Sequence, residues 1–174
     1  IGTKLITAYD QPTLGAVYKL VAIEDEDGQL VDTIKISNNV GKMSTPGKKQ
    51  VWRINDRADR KSEGDYITLV DEDPRNEKSL NMFNPNFPLQ QKDVEDFTAR
   101  PMLKPIWQDG KYVYNEPTLE ESRQHRFDSL NALWDEYKRD LNPEVYPVDL
   151  SQKCYDNKLK LIHQVHEYVK SLNK

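Results

Sequence analysis

Strand signals and helix signals lie in different parts of this chain, and that separation limits the fold more than any other feature. β-branched runs between turn residues occupy positions 17–71, whereas apolar residues at helical spacing are concentrated in positions 117–174. Segregated strands and helices are typical of α+β folds. The sequence therefore predicts the α+β class, with the strands first and the helices last.

The β-rich part reads as a hairpin followed by single strands. Residues 17–23 and 30–36 alternate in polarity around an acidic turn that ends at Gly28, which predicts a β-hairpin. The carboxylates of 24–27 lack the spacing of a calcium loop, so we interpret them as a solvated hairpin tip. Residues 50–54 and 66–70 have strand character, and a charged loop separates them.

The middle of the chain carries few periodic stretches. Six of the ten prolines lie between positions 74 and 117, so residues 72–116 are interpreted as an irregular, proline-rich connection. Within it, Asp109 and Gly110 predict a hairpin turn.

Two helices are predicted at the end. Thr118 as N-cap and Glu121 three residues later form a capping box, and the apolar stripe that follows runs to Leu141 before Pro143 stops it. A second amphipathic helix starts near Ser151. The connection between them is short enough for an antiparallel helical pair.

Charge and composition argue against several functions. The 25 basic and 29 acidic residues are interleaved and give a net charge of −4, which disfavours binding to nucleic acid or to an acidic membrane. A single-stranded nucleic-acid site at Lys48, Lys49, Trp52 and Arg53 is a weaker hypothesis for the same reason. With one cysteine and no signal peptide or membrane-spanning run, the chain is interpreted as cytoplasmic.

The nucleophile and metal candidates are weak. Cys154 would need a positioned base, but His163 and His166 lie two to three helical turns further along the predicted helix. The two histidines are three residues apart and could share a zinc ion, yet no third ligand is evident nearby. We therefore predict no metal site and no catalytic residue in this chain.

The segment that most resembles a ligand-binding site is the start of the chain. Gly2 lets the backbone approach an anion closely, and the Thr3 hydroxyl and adjacent N–H groups can donate to phosphate oxygens. The run at 2–23, which contains Gly2-Thr3-Lys4-Leu5 and Tyr18-Lys19-Leu20-Val21, resembles a segment of nicotinate phosphoribosyltransferases, in particular the long Gram-positive form. The Lys-Ile-Ser and Thr-Pro-Gly-Lys-Lys patterns of 35–53 and several runs between 97 and 151 resemble the same family, and 84–96 match it least.

The resemblance implies a fold and a division of the chain. Residues 1–16 would end a type II phosphoribosyltransferase α/β barrel and hold its phosphate loop. Residues 17–71 would be a β-rich segment that completes the parent domain. Residues 72–116 would connect this segment to a C-terminal helical extension formed by 117–174. The chain opens inside the family's phosphate-loop motif, so we expect the natural protein to extend further toward its N-terminus.

The resemblance also implies an activity. The family joins nicotinate to phosphoribosyl pyrophosphate to give nicotinate mononucleotide for NAD biosynthesis, with coupled ATP hydrolysis, Mg²⁺ and a homodimeric active site. Gly2 and Thr3 carry over as phosphate-binding residues, with Lys19 and Asp10 as neighbours. The family's phosphorylated histidine and base-binding residues lie upstream, so this chain alone is predicted to be inactive without the missing N-terminal part. The alternative is a non-catalytic interaction module that docks through its helical pair.

Overall fold

The computed structural model describes residues 17–39 and 42–172. In that range the chain forms short and long strands, two α-helices and short 3-10 turns. The strands are β1 (Ala22–Glu24), β2 (Leu30–Asp32), β3 (Lys49–Asp56), β4 (Ser62–Leu69), β5 (Ser79–Asn84), β6 (Phe87–Glu95), β7 (Phe97–Pro101), β8 (Trp107–Gln108), β9 (Lys111–Tyr112) and β10 (Val148–Leu150). The helices are α1 (Leu119–Asn131) and α2 (Gln152–Leu172).

One six-stranded sheet organises the domain, in the order β6-β5-β10-β4-β3-β7. The late strand β10 lies between β4 and β5, parallel to β4 and antiparallel to β5. The other pairs in this sheet are antiparallel. Two small hairpins, β1-β2 and β8-β9, stand apart from it.

A single residue joins the two edges of this sheet. β6 ends at Glu95 and β7 begins at Phe97, so Asp96 alone connects the strands at opposite ends of the order. Asp96 has φ of 46°, a left-handed conformation that Asp tolerates better than most residues. Arg57 holds this corner, since its Nε donates to Asp96 Oδ1 at 2.8 Å and its Nη2 donates to the Phe97 carbonyl at 2.7 Å. The sheet must therefore curl.

The curled sheet buries a different apolar cluster on each face. β4 alternates strictly between buried and half-buried positions, as a strand with one face on a core requires. The larger cluster consists of Trp52, Ile54, Tyr66, Leu80, Met82, Val94 and Phe97. On the other face, Phe83 and Leu150 pack with Cys154 of α2. Helix α2 thus covers one face through its first half.

The β1-β2 segment is attached by polar contacts. The Val21 carbonyl accepts from the Thr33 and Gly47 amides at 3.0 and 2.9 Å. Asn157 Nδ2 of α2 donates to Asp32 Oδ2 at 2.7 Å. Lys49 Nζ donates to three successive carbonyls of residues 45–47, at 2.7 Å for Thr45. Lys49 therefore fixes the turn against which the segment packs.

Several local predictions are confirmed. The hairpin around the acidic turn forms, although only β1 and β2 of it are regular strands, and its tip is exposed. The strand predicted at 50–54 lies within β3, and the one predicted at 66–70 covers the second half of β4 and one residue beyond it. Asp109-Gly110 forms the turn of the β8-β9 hairpin. Thr118 and Glu121 form the reciprocal capping box. The second helix begins at Gln152, one residue after the predicted start.

The interpretation of 72–116 as irregular was wrong. Residues 79–101 form three consecutive strands, β5, β6 and β7. Pro85 lies in the turn between β5 and β6, and Pro88 lies in β6, which is an edge strand. Proline is tolerated at both kinds of position because neither needs its missing N–H for a ladder. The charged loop at 55–65 is also shorter than expected, because β3 extends to Asp56 and β4 starts at Ser62.

The antiparallel helical pair was wrong as well. Helix α1 ends at Asn131 rather than continuing to Leu141, and only a 3-10 turn at Asp135–Tyr137 follows. The start of β4 and the residue before it bind the carbonyls at the end of α1 and just beyond it. Lys61 Nζ donates to the carbonyls of Asn131 and Leu133, and the Ser62 amide donates to that of Ala132 at 2.7 Å. No residue of α1 is buried, and the two helices do not pack along each other. Neither described helix has the length and apolarity to cross a membrane.

The main core should dominate stability. Met82 is fully buried in the larger cluster, so Met82→Ala should lower the free energy of unfolding of the 174-residue chain by about 2–5 kcal/mol. Leu89→Ala is the control, because Leu89 in neighbouring β6 is 95% exposed, and it should change the value by less than about 0.5 kcal/mol. Urea unfolding followed by circular dichroism measures both. Equal effects would contradict the assigned core.

The lysine that holds the 45–47 turn can be tested in the same way. Lys49→Met keeps the apolar stem and removes the donor to three carbonyls, so it should cost about 1–3 kcal/mol of unfolding free energy. Lys48→Met makes the same substitution at the exposed neighbouring residue and should leave stability within about 0.5 kcal/mol. If the two variants unfold at the same urea concentration, Lys49 does not hold the turn.

Candidate functional site

A basic cavity opens where the segment 17–20 crosses the loop that follows β2. Its volume is about 660 Å³. The lining side chains include three lysines and two hydroxyl residues: Lys19, Thr33, Lys35, Ser37 and Lys42. We call this the basic cavity.

The lysines of the basic cavity have no acidic partners in the described part of the chain. Lys19 Nζ donates to the Lys42 carbonyl at 3.0 Å, which places a half-buried ammonium at the cavity wall. Lys35 and Lys42 are exposed. Within residues 17–39 and 42–172, none of the three forms an ion pair with a carboxylate. Their charges are therefore available to an anion.

Thr33 adds an unused hydroxyl to the same wall. Its backbone N–H donates to the Val21 carbonyl, but its Oγ1 is shielded from solvent and has no hydrogen-bond partner among the described residues. Buried polar atoms are nearly always paired, so the Thr33 hydroxyl points to a partner outside the described residues.

Lys158 of α2 increases the positive charge nearby. The residue is only 7% exposed, and no hydrogen bond or ion pair to its ammonium occurs in the described structure. Burial lowers its pKa, Cys154 raises it, and the charge of Lys19 lowers it further. A largely buried ammonium that lies beside a second cation and has no carboxylate partner among the described residues is unfavourable, and a bound anion would stabilise it.

These features suit anion binding rather than covalent chemistry. Ammonium and hydroxyl donors recognise phosphate or carboxylate oxygens. The cavity presents no nucleophile with an adjacent base among its described lining residues. Its contribution to a reaction would be to bind and orient a negatively charged group.

Of the predicted phosphate-site residues, the structure places one. Lys19 lines the basic cavity. Gly2, Thr3 and Asp10 lie outside the described residues. Sequence analysis did not assign a binding role to Thr33, Lys35 or Lys42. Lys35 and Lys42 belong to the Lys-Ile-Ser pattern that was seen, whereas the orphan hydroxyl of Thr33 gives no sequence signal.

The structure shows the surroundings of the nucleophile and zinc candidates. Cys154 is fully buried, and burial raises the pKa of its thiol to about 11, which opposes thiolate formation. His163 and His166 are both exposed. Across the described ranges, no three His, Cys, Asp or Glu side chains are grouped to hold a metal ion.

The cluster considered for single-stranded nucleic acid is occupied by structural contacts. Trp52 is 5% exposed and its Nε1 donates to Thr68 Oγ1 at 3.0 Å. Arg53 forms two hydrogen bonds to the Asp65 carboxylate, at 2.9 and 3.2 Å. Lys49 Nζ donates to the carbonyls of the 45–47 turn. Of the four residues in the cluster, only Lys48 is exposed. No base could stack on Trp52.

The chain resembles known proteins over most of its length. The family model for the nicotinate phosphoribosyltransferase C-terminal domain matches residues 48–158. A Bacillus subtilis nicotinate phosphoribosyltransferase is 52% identical over 165 residues, which cover 95% of this chain and 34% of that protein. A Caenorhabditis elegans nicotinate phosphoribosyltransferase is 32% identical over 157 residues, 89% of this chain and 27% of that protein.

A solved structure supports the fold. The crystal structure of human nicotinic acid phosphoribosyltransferase matches with a TM-score of 0.58 and 24% identity, over 70% of this chain and 23% of that chain. The matched family domain runs from the start of β3 into α2 and so contains the whole curled sheet. The chain therefore belongs to the nicotinate phosphoribosyltransferase family, through its C-terminal domain.

Proposed function

We propose that this chain is the C-terminal portion of an enzyme that forms nicotinate mononucleotide from nicotinate and phosphoribosyl pyrophosphate, in NAD biosynthesis. The observation that carries the proposal is the 52% identity to the Bacillus subtilis nicotinate phosphoribosyltransferase over 95% of this chain. The chain spans about a third of that relative's length. Activity is accordingly proposed for the whole protein, and the isolated chain is expected to be inactive.

The proposed role of this chain in the reaction is to bind phosphate. Gly2 and Thr3 would donate backbone N–H groups and a hydroxyl to phosphate oxygens, with Asp10 as a neighbour. Lys19, close in sequence to this loop, would add positive charge from the wall of the basic cavity. Such groups fix the ribosyl phosphate and stabilise the charge on the departing pyrophosphate.

The partner of this chain would be the preceding part of the same protein. The side chains that follow residue 16 support this, because Val17, Tyr18 and Leu20 are 81%, 97% and 57% exposed. A row of exposed apolar side chains is typical of a surface that is covered in the complete molecule. We extend the proposal to a cytoplasmic homodimer, as the family resemblance implies.

ATP and Mg²⁺ belong to the proposal for the whole enzyme only. ATP hydrolysis would supply free energy to the transfer, and Mg²⁺ would balance phosphate charge. The part of the chain that the structure describes holds no metal-ligand cluster. We assign no step of the reaction to either group here.

The first test compares the 174-residue chain with the full-length protein. The full-length protein should convert phosphoribosyl pyrophosphate to nicotinate mononucleotide, and the reaction should depend on nicotinate and ATP. Chromatography of the product measures the conversion. The isolated chain should give no product above the enzyme-free background. Activity of the isolated chain would contradict the proposal that the reaction requires the whole protein. An inactive full-length protein with a folded circular dichroism spectrum would contradict the proposed reaction.

The second test concerns the phosphate loop. In the full-length protein, Thr3→Ala should lower kcat/KM for phosphoribosyl pyrophosphate by about a hundredfold, because a hydroxyl donor to the phosphate is lost. Thr7→Ala makes the same change four residues further along the chain, outside the Gly-Thr pair, and should leave kcat/KM within about twofold. Equal kcat/KM values for the two variants would show that Thr3 does not bind the phosphate.

A further inference from the structure

A second cavity lies beside the connection between α1 and β10. Its volume is about 400 Å³, at the lower end of the range for small-molecule sites. Its polar and aromatic walls include Asn84, Gln91, Lys92, Tyr137, Tyr146 and Asp149. We call this the Asp149 cavity.

Asp149 is the unusual residue in this cavity. It is 6% exposed, and the described structure gives its carboxylate no hydrogen bond and no ion pair. Burial raises its pKa, which the charge of Lys92 offsets only in part. A buried carboxylate that lacks donors is unfavourable unless it is protonated or meets a cation.

The other charges around the cavity do not satisfy Asp149. Lys92 Nζ is already held by Glu63, with 2.8 Å to the carboxylate Oε2 and 2.6 Å to the backbone carbonyl. Arg53 forms its ion pair with Asp65, and Tyr146 donates its hydroxyl hydrogen to the same Asp65 carboxylate at 3.1 Å. The nearest cations are therefore bound to other acids.

Several acids act on Tyr137, which lines the cavity. Burial raises the pKa of Tyr137, and the negative charges of Glu63, Glu144, Glu136 and Asp149 raise it further. Of these acids, Glu63 is paired with Lys92, and Glu144 makes a looser pair with Arg139 at 3.4 Å. Glu136 and Asp149 form no ion pair within the described ranges.

The aromatic rings complete the arrangement. Tyr137 and Tyr146 meet edge to face, with ring centroids 5.5 Å apart, and both line the cavity. The face of a tyrosine ring attracts cations, most strongly where water is excluded. Arg53 already lies over the Tyr146 ring, with its Cζ 5.7 Å from the centroid, whereas no cation from the described residues lies over Tyr137. A planar guanidinium can also donate two hydrogen bonds to one carboxylate.

The geometry points to a binding site for a small organic cation of the alkylguanidinium class, held by the carboxylate of Asp149 and the ring of Tyr137. This site would bind its ligand whether or not the proposed transferase activity is correct. The amides of Asn84 and Gln91 would supply further polar contacts at the rim.

The test uses a matched pair of probes with the full-length protein. Methylguanidinium has the required charge and donors, whereas methylurea has nearly the same shape without the charge. Saturation-transfer difference NMR with increasing probe concentration should show saturable binding of methylguanidinium, and binding of methylurea at least tenfold weaker. No saturable binding, or equal binding of the two probes, would overturn the proposal.

A matched pair of variants locates the site. Asp149→Asn should weaken methylguanidinium binding at least tenfold. Asp93→Asn makes the same change at an exposed carboxylate of β6, whose Oδ1 accepts from Asn81, and should leave the affinity within twofold. If Asp93→Asn weakens binding as much as Asp149→Asn, or if neither does, the Asp149 carboxylate is not the binding group.

The pH dependence of stability checks that Asp149→Asn still folds. The folded-state pKa of Asp149 is raised, so its contribution to unfolding free energy is most favourable at low pH and declines as pH rises from the unfolded pKa through the folded pKa. Lys92, Glu63, Tyr66, Tyr137 and Tyr146 are the titratable groups around it. Asp149→Asn should lack that decline and should be at least as stable as the original at pH 7. An unfolded variant would contradict the assigned environment of Asp149.

Discussion

The one-residue link at Asp96 determines the shape of the domain. It joins β6 to β7, the strands at the two edges of a six-stranded sheet, so the sheet can only exist curled. Curling brings Val94 of one edge and Phe97 of the other into a single apolar cluster around Met82. Because β6 is an edge strand, it can contain Pro88 without losing a hydrogen bond that the sheet requires.

The same closure explains why β10 and α2 are where they are. Once β3 to β7 have curled, β4 and β5 still have facing edges with unpaired backbone groups, and β10 fills that gap after the long excursion through α1. Leu150 of β10 then lies under α2, beside Phe83 and Cys154. Helix α2 therefore covers the sheet through its first half only, and Leu159, Val169 and Leu172 of its predicted apolar stripe remain largely exposed.

Sequence reasoning succeeded where the signal is local. The capping box of Thr118, the Asp109-Gly110 turn and the strand character of 66–70 depend on residues within a few positions of one another. It failed where the cause is a contact between distant residues. The end of α1 is fixed by Lys61, about seventy positions earlier, and β6 shows no alternation because most of that edge strand is exposed. In the basic cavity, a role for Lys19 could be predicted from the family resemblance. The hydroxyl of Thr33, which has no partner among the described residues, could not be predicted because its surroundings are set by tertiary contacts.

Lys158 and Asp149, two largely buried residues without an ion-pair partner among the described residues, cannot neutralise each other because the sheet lies between them. Leu150 and Asp149 are consecutive in β10, so their side chains point to opposite faces. Leu150 packs beneath α2, the helix that carries Lys158, and Asp149 therefore faces away from it. The sheet separates the Lys158 ammonium from the Asp149 carboxylate. Lys19 lies near the ammonium, and Lys92, which is paired with Glu63, lies near the carboxylate. Desolvation raises the free energy of both charged forms, so each side of the sheet keeps an electrostatic preference for a partner of opposite charge.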